Sequence, residues 1–476
     1  MIGRERESKK LRQLYDSGHA QLVAIYGRRR VGKTYLVDET FAGHITFRHA
    51  GLSPADGENG LLHAQLAHFS GSLELHGSKP DSTPKTWLEA FLLLEKHLQA
   101  HDDGSRQLVF LDELPWLDTP KSGFMRAFEG FWNTWGCHRR NLMVVVCGSA
   151  TSWMLDKLVN SHGGLYDRLT CEIKLEPFTL RECEEFYREE GVRLSRYDIV
   201  QGYMVFGGIP YYLGYVDREG SLAQSVDAAF FARNATLRGE FDRLFASVFA
   251  NPEQAKSIVR LLHTRNAGFT RREITDKLGI SDGGGLSKSL NALIASDFIV
   301  KYAPFGMSKR AEHYKLTDPF CQFYLRFVDG GIGTDEHFWQ HGTASQPVIT
   351  WRGIAFEGVC FNHVDQIKAA LGVSGVVTTT SAWSKRADDE GGTQIDLLLT
   401  RADNVVNMCE MKYYGGDFAV DGSYYKTLLR RQEMLAAAIP PKAVVHSTLV
   451  TTFGLTRNEY SGAFTNVVTM DDLFAC

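Results

Sequence analysis

The sequence QLVAIYGRRRVGKTYLVDET, residues 21–40, predicts a strand, a glycine-containing loop and a helix in the amino-terminal part of this chain. Apolar residues 22–26 predict a buried strand, and GRRRVGKT at 27–34 fits G-x-x-x-x-G-K-[ST] at every fixed position. In such a strand–loop–helix unit the glycines let backbone N–H groups wrap phosphate oxygens, and the positive end of the helix dipole points at them. Lys33 is then placed to reach the β- and γ-phosphates of a nucleotide, and Thr34 to ligate magnesium. The residues expected to contact the nucleotide here are Gly27, Arg28, Arg29, Arg30, Val31, Gly32, Lys33, Thr34 and Tyr35.

Two carboxylates, Asp112 and Glu113, follow the apolar run LVFL at 108–111. Ligands bind at the carboxyl ends of parallel strands, and buried carboxylates are costly unless charge meets them. We therefore expect Asp112 to support the magnesium ion and Glu113 to orient the attacking water. The alternatives are an acid pair that merely ends a strand and a glycine turn beside a chance lysine. The presence of both motifs in one chain disfavours both alternatives.

Two further residues give weaker signals. Ser149 ends the apolar run LMVVVCGS, where it can touch the γ-phosphate or the water, or can cap the helix that follows. Arg168, in LYDRLT before another strand, can act as an arginine finger, although arginines at the start of a strand are usually surface residues. Both alternatives stay open from the sequence.

The strand and helix patterns divide the chain into regions. Strands alternate with amphipathic helices from residue 21 to about 179, which predicts an α/β fold with a parallel sheet covered on both faces. Residues 54–84, rich in Gly, Ser, Asp and His, are predicted to be an insertion over the surface with one helical run. Helical spacing continues from 180 to about 252. Residues 254–317 show three helical patterns and then two strand patterns, and a last α/β unit begins near Trp351.

The composition of the chain bears on zinc binding, membrane association and nucleic-acid binding. Eight cysteines are scattered with no C-x-x-C pair and no Cys/His cluster at zinc-finger spacing, which predicts reduced thiols and no structural zinc. The polar amino terminus and the absence of a long apolar run predict a cytoplasmic protein with no membrane partner. With a net charge of −4, any nucleic-acid affinity must come from local patches.

The order of the motifs resembles the prokaryotic archaeal ATPase family of the AAA-related STAND class, over about residues 1–330. The resemblance implies a P-loop ATPase that binds ATP or ADP with Mg²⁺, a helical lid whose Pro210 lies close to the nucleotide, and a winged helix after it. It also implies a nucleotide-dependent switch more than a steady hydrolase. The matching motifs are GRERES at 3–8, GRRRVGKT at 27–34, the acid pair, CGSATSWM at 147–154, LYDRL at 165–169 and FGGIPYYL at 206–213.

The pattern of the segment after the predicted lid indicates a winged helix. Its three helices are predicted at SIVRLLHTR, FTRREITDKLGIS and GLSKSLNALIASDFI. Lys and Arg outnumber Asp and Glu by 11 to 5 between residues 254 and 316, which is compatible with contacts to DNA phosphates. The third helix carries one lysine and few groups able to read base edges, so DNA docking and packing within the chain both stay open. The candidate phosphate contacts are Arg271, Arg272, Lys288, Lys309 and Arg310.

Three acidic residues and a lysine in the last α/β unit, from about residue 351, form a candidate metal site. Asp396 lies within the apolar run QIDLLLT, where a buried carboxylate demands a cation. Glu410 and Lys412 are expected on one face of the next strand because strand side chains alternate. Upstream, helical spacing puts Glu357 in register with Ile354, on the face expected to be buried.

This pattern resembles the PD-(D/E)-x-K nuclease superfamily, with a restriction-endonuclease-like α/β domain, over about residues 351–450. The resemblance implies that Asp396 and Glu410 hold Mg²⁺ or Mn²⁺, that Lys412 orients or activates water, and that Glu357 supports the metal. A surface strand with salt bridges is the alternative for Glu410 and Lys412. The predicted domains are 1–179 (P-loop core), 180–252 (lid), 253–328 (winged helix), 329–350 (linker) and 351–476 (nuclease-like).

The sequence therefore predicts an ATP-binding switch that controls a metal-dependent, DNA-cutting domain. One alternative is a nucleotide-switched DNA-binding regulator whose last domain does not cut. Another is a signalling scaffold that binds only protein. The oligomeric state stays open, with a homo-oligomer among the options, because Arg168 can act within the chain or across subunits.

Overall fold

A computed structural model describes residues 2–53, 61–159, 164–165, 167–306, 311–330, 335–385 and 393–475, with the side chains of 384, 385, 393, 394 and 396 outside the description. The chain divides into two compact units, residues 1–176 and 177–476. Within the described ranges, none of the helices has the length and apolar character needed to cross a bilayer.

The first unit contains a five-stranded sheet with the order β2-β3-β4-β1-β5, in which all neighbours are parallel. Every residue of β1, β3 and β4 is buried, as expected for the central strands of a parallel sheet with helices on both faces. The predicted α/β fold class is confirmed. The strands are β1 (Gln21–Tyr26), β2 (Ile45–Ala50), β3 (Gln107–Asp112), β4 (Leu142–Gly148) and β5 (Cys171–Lys174).

The α-helices among the described residues of this unit are α1 (Glu5–Tyr15), α2 (Lys33–Thr40), α3 (Leu61–Leu75), α4 (Trp87–Ala100), α5 (Leu114–Leu117), α6 (Phe124–Thr134) and α7 (Thr151–Met154). Helix α3 corrects the prediction of a surface insertion, because Leu66, Phe69 and Leu73 are buried in the main apolar cluster with α4 and α6. Polar residues of this segment also lie in the loop at 76–84, and residues 54–60 lie outside the described residues.

The second unit starts with the helices predicted for the lid: α8 (Leu180–Glu189), α9 (Arg196–Phe206), α10 (Pro210–Leu213), α11 (Leu222–Val226) and α12 (Glu240–Val248). Helix α8 begins at a reciprocal capping box, in which Thr179 and Glu182 each accept a backbone N–H of the other. The chain just before it, at Phe178, donates its N–H to the carbonyl of Gly208 at 2.6 Å. The start of α8 is thereby tied to the turn after α9.

The next elements are α13 (Pro252–His263), β6 (Phe269–Thr270), α14 (Arg271–Leu278), α15 (Gly284–Ala295), β7 (Ile299–Tyr302) and β8 (His313–Leu316). The three strands pair antiparallel in the order β6-β8-β7. Three helices followed by a two-stranded hairpin are the elements that the sequence predicts for this segment.

The carboxyl-terminal elements are α16 (Pro319–Phe327), α17 (Phe338–Gly342), α18 (Gln346–Asn362), α19 (Val364–Ala370), β9 (Thr378–Lys385), β10 (Thr393–Arg401), β11 (Val405–Lys412), α20 (Gly422–Ala436), β12 (Val444–Thr451) and β13 (Asn466–Thr469). The strands form a mixed sheet in the order β13-β12-β11-β10-β9, in which β10 runs against the others. The side chains of Leu428 and Leu435 on α20 pack with Met408 of β11. Helix α18 meets β11 from the other face through Phe356 and Tyr413.

A buried histidine ties α8 to the junction of α18 and α19. His363 Nδ1 lies 2.7 Å from the Val359 carbonyl, and Nε2 lies 2.9 Å from the Leu180 N–H. Because a carbonyl only accepts and an amide N–H only donates, the proton must sit on Nδ1 and the ring must be neutral. Burial lowers the pKa of His363 from 6.5 to about 4.

We therefore expect the second unit to lose stability as the pH falls from about 6.5 towards 4. In this window the unfolded chain takes up a proton on His363 that the folded chain refuses, at a cost of about 3 kcal/mol in the free energy of unfolding. Urea unfolding of the wild type and His363→Gln at several pH values measures this. The stability advantage of the wild type should shrink as the pH falls, and a difference that is independent of pH would contradict the assignment.

Candidate functional site

The loop between β1 and α2 is shaped by two glycines with positive φ. Gly27 has φ +146°, and a Cβ there would lie 2.3 Å from the carbonyl oxygen of Leu175. Gly32 has φ +96° and directly precedes α2, which begins at Lys33 as predicted. Side chains rarely adopt these conformations, so the loop requires glycine at both positions.

Lys33, the first residue of α2, is buried, and its ammonium group lies against the backbone of this loop. Its Nζ donates to the carbonyls of Gly27 and Arg28 and to Ser149 Oγ, each at 3.0 Å. Burial lowers the pKa of Lys33, and the nearby Glu113 and Asp112 carboxylates oppose that shift. The loop thus encloses one ammonium group within reach of the acid pair at the end of β3.

Thr34 and Asp112 are brought together as the magnesium assignment requires. Thr34 Oγ1 donates to Asp112 Oδ2 at 2.7 Å, and Asp112 Oδ1 accepts the N–H of Glu113 at 2.9 Å. Burial raises the pKa of Asp112, and the hydrogen bond from Thr34 acts in the opposite direction. A hydroxyl and a carboxylate side by side, next to a phosphate-type loop, are oxygen donors of the kind that Mg²⁺ prefers.

Glu113 is held in a strained conformation by Ser149. Its backbone is left-handed, with φ 45° and ψ 49°, which costs a non-glycine residue about 1 kcal/mol or more. Its carboxylate accepts the Ser149 hydroxyl at 2.6 Å and the Ser149 N–H at 3.1 Å. Since Ser149 also accepts from Lys33, a continuous hydrogen-bonded chain joins Lys33, Ser149 and Glu113.

The helix-cap alternative for Ser149 is wrong. Helix α7 begins at Thr151, and its cap position is Ala150, which has no capping side chain. The Ser149 hydroxyl is directed at Glu113 because β3 and β4 are parallel neighbours and end at the same edge of the sheet.

The other predicted nucleotide contacts occupy varied positions. Arg28 and Val31 are buried in the loop, whereas the Tyr35 side chain is 56% exposed on α2. Arg168 is exposed in a turn, where its N–H donates to the Leu165 carbonyl. Pro210 is the first residue of α10 in the second unit. Their roles toward a nucleotide stay predictions.

Arg4 is a residue of this site that the functional assignment missed. It is buried, and its Nη2 donates to the carbonyls of Val31 at 3.2 Å and Glu176 at 2.7 Å. It therefore fastens the loop to the chain after β5. Its position in the GRERES motif was a signal, although the sequence did not say what the arginine contacts.

In the second unit, Glu410 and Lys412 lie on the same face of β11, as strand alternation predicts. Glu410 is buried, and its carboxylate accepts Tyr424 OH at 2.8 Å and Arg431 Nη1 at 2.5 Å. Lys412 Nζ lies 3.9 Å from the same carboxylate and 5.0 Å from the centre of the Tyr424 ring. Burial, together with the Glu410 charge, raises the pKa of Tyr424, so the phenol remains a donor.

Tyr424 and Arg431, the two hydrogen-bond donors to Glu410, are further residues that sequence reasoning missed. They are seven residues apart on α20, and this spacing brings two side chains to one face of a helix. That spacing was a signal, but many exposed pairs share it. Only the packing of α20 on β11 distinguishes these two.

The prediction that Glu357 lies on the buried face of α18 is wrong. Its neighbour in register, Ile354, is 39% exposed, and the buried face passes through Val348, Trp351 and Val359. Glu357 is half-buried, and its Oε2 accepts the side-chain N–H of Asn266 at 2.6 Å. A hydrogen bond to an amide thus satisfies part of this carboxylate.

The metal assignment at this site stays a prediction. Asp396 lies in β10 between Ile395 and Leu398, where the pairing register with β9 shifts, and its side chain is outside the described residues. Among the side chains that are described, no group of three or more His, Cys, Asp or Glu is arranged to hold a metal ion.

The basic residues of the 254–316 segment are partly engaged within the chain. Arg271 forms an ion pair with Asp282 at 2.6 Å. Arg272 lies 3.7 Å from Asp276 in an ion pair on the surface, and its side chain is 92% exposed. Lys288 is exposed on α15. Lys309 and Arg310 lie outside the described residues. Arg272 and Lys288 are therefore the described candidates that remain accessible to a phosphate.

Comparison with known proteins identifies the first part of the chain. Residues 1–216 match the model of a family described as an ATPase domain predominantly from Archaea. An uncharacterized protein of Methanocaldococcus jannaschii is 26% identical over 343 residues, covering 69% of this chain and 68% of that protein. The Walker-type ATPase PABY2304 of Pyrococcus abyssi has a similar fold, with a TM-score of 0.50 and 19% identity over 68% of this chain and 96% of that one. Residues 1–216 are thus similar to an ATPase domain found mainly in Archaea, and the fold agrees with that of a Walker-type ATPase.

Proposed function

We propose that this protein is an ATP-dependent switch, in which the P-loop unit binds and hydrolyses Mg·ATP and its nucleotide state controls a DNA-cleaving site around Glu410. The observation that carries the first part is the hydrogen-bonded chain from Lys33 through Ser149 to Glu113. This chain joins Lys33, which is expected to bind the phosphates, to Glu113, which is expected to orient the attacking water.

The same chain supports a switch. When phosphate oxygens take over the three donors of Lys33, Ser149 loses one of its two partners and its hydrogen bonds to Glu113 change. Both oxygens of Glu113 are bound by Ser149 in the structure, so the carboxylate must exchange at least one of them to hold a water. Thr34 and Asp112 would hold the Mg²⁺, which neutralises developing phosphate charge when bound.

At the carboxyl-terminal site, Asp396 and Glu410 would hold Mg²⁺ or Mn²⁺, which supplies Lewis-acid activation when bound. Lys412 and Arg431 place two cations beside Glu410, where they can offset the negative charge of a phosphodiester in its transition state. Glu357, which accepts a hydrogen bond from Asn266, would support the metal from a half-buried position and not from the buried face of α18.

One observation favours the second candidate, a nucleotide-switched DNA-binding regulator that does not cut. The Glu410 carboxylate already has Tyr424, Arg431 and Lys412 as partners, so this ion cluster is also complete as a structural element. Accessible Arg272 and Lys288 would then contact DNA phosphates.

Incubation of the full chain with supercoiled DNA and Mg²⁺ or Mn²⁺, with and without ATP, tests the proposal. We expect nicking that responds to ATP, falls about a hundredfold or more in Asp396→Ala and Lys412→Ala, and loses its ATP response in Lys33→Ala. Asp403→Ala is the matched control, because this exposed acid pairs with Arg401 at the end of the same strand pair. Intact DNA under every condition would contradict DNA cleavage and favour the second candidate, the DNA-binding regulator. DNA binding by that regulator should weaken in Arg272→Ala and at high salt.

A further inference from the structure

A cavity of about 330 Å³ lies in the second unit, between the hairpin β7–β8 on one side and β9 with the α18–α19 junction on the other. Its lining shares no residue with the P-loop site or with the Glu410 cluster. The backbone bond from the Phe305 N–H to the Ala382 carbonyl, at 2.9 Å, fastens the hairpin to β9 beside it. The volume is that of a small-molecule site.

One wall is a single face of the hairpin. In the antiparallel register Val300 pairs with Lys315 and Tyr302 pairs with His313, so these four side chains project to the same side. Lys315 is only 4% exposed, and its Nζ lies 4.5 Å from the centre of the Phe361 ring across the cavity. A buried ammonium beside an aromatic ring is a strong local source of positive potential.

On the opposite wall of the cavity, the hydroxyl group of Ser381 has an unused capacity for hydrogen bonding. Ser381 is 7% exposed and lines the cavity, and its Oγ has no hydrogen-bond partner among the described residues. Leaving a buried hydroxyl unsatisfied costs about 1 to 3 kcal/mol. The basic side chains of the described lining on this face are Lys315 and His313, and the described lining has no carboxylate. Lys301 projects from the other face of the hairpin, where it pairs with Glu312 at 3.1 Å. The cavity is therefore built for an anion with hydrogen-bond acceptors.

The spacing along the hairpin adds a second requirement. The Tyr302 and His313 rings stack, with centroids 5.8 Å apart and planes inclined by 28°. They lie two residues along the strands from the Val300–Lys315 pair, which is about 7 Å. A flat aromatic platform about 7 Å from a buried ammonium matches a ligand that carries a planar ring at one end and an anionic group at the other.

We propose that this cavity binds a nucleoside monophosphate, with the base against Tyr302 and the phosphate at Lys315 and Ser381. This site is separate from the P-loop and does not depend on the proposed function. Occupancy would clamp the hairpin against β9, since the ligand contacts both walls.

Isothermal titration of AMP, GMP, CMP and UMP into the full chain carrying Lys33→Ala, which removes the expected P-loop site, tests this. The sharpest comparison is Val300→Glu against Val300→Gln. Val300 is 38% exposed, so both polar side chains are tolerated, and the two variants differ only in one charge beside the phosphate position. We expect the glutamate variant to bind at least one nucleotide tenfold or more weakly than the glutamine variant.

Lys315→Met should weaken binding to a similar extent, whereas Lys442→Met, at an exposed lysine between α20 and β12, should leave it unchanged. Adenosine alone and inorganic phosphate alone should each bind more weakly than AMP, because each fills half of the cavity. Equal binding to the glutamate and glutamine variants, or no binding of any monophosphate, overturns the proposal. Binding of a single-stranded oligonucleotide without any mononucleotide would also overturn it, in favour of a nucleic-acid surface.

Discussion

Replacing Glu113 with glutamine should lower the rate of ATP hydrolysis by about a hundred- to ten-thousand-fold while ATP still binds. Glutamine keeps the size of the side chain and one acceptor for the Ser149 hydroxyl, but it cannot take a proton from water or orient it with a negative charge. Phosphate release at saturating Mg·ATP gives the rate, and titration with a fluorescent ATP analogue gives the affinity.

Two variants make this result interpretable. Glu172→Gln, at an exposed glutamate on β5, should hydrolyse ATP like the wild type. Lys33→Ala should lose nucleotide binding, because the buried ammonium is the one lysine within the loop. Hydrolysis at the normal rate in Glu113→Gln would assign the attacking water to another group, and intact binding in Lys33→Ala would refute the site as a whole.

The geometry of the predicted nucleotide site followed from the sequence because its parts are local in sequence or lie at one edge of a parallel sheet. The loop and the start of α2 are contiguous, so the motif alone specifies Gly32, Lys33 and Thr34. Asp112 ends β3, and the carboxyl ends of parallel strands meet at one edge. Alternation of strands and helices therefore brings this carboxylate to within 2.7 Å of Thr34 without further information.

Contacts that depend on the packing of one element against another were not predictable. Ser149 had two equally good local explanations. The structure contradicts the helix cap and shows a contact that the sequence did not indicate, a hydrogen bond of 2.6 Å from Ser149 Oγ to Glu113. The prediction of which face of α18 is buried was wrong at Glu357 because Ile354, although apolar, is partly exposed in this unit. Arg431 reaches Glu410 from 21 residues away, through the way α20 lies on the sheet.

Replacing Gly208 with alanine should destabilise the second unit by about 3 to 5 kcal/mol. A Cβ at this position would lie 1.9 Å from the carbonyl oxygen of Phe178 and 2.7 Å from its nitrogen. These are backbone atoms, so no rotamer change relieves the overlap, and the turn must move away from the start of α8. That movement also breaks the 2.6 Å bond from the Phe178 N–H to the Gly208 carbonyl.

Gly214→Ala is the matched control for this prediction. Gly214 is the cap residue directly after α10, with helical φ −65°, and a Cβ there would lie at an ordinary 3.6 Å from the Tyr211 carbonyl oxygen. Its stability should change by no more than about 0.5 kcal/mol. Urea unfolding followed by fluorescence at pH 7.5, away from the titration of His363, compares the two variants. Equal midpoints would mean that the chain accommodates a methyl group between Phe178 and Gly208, so that this turn is looser than its backbone contact requires. A large loss confined to Gly208→Ala would instead establish that the FGGIP motif is glycine-rich because two backbone segments touch there.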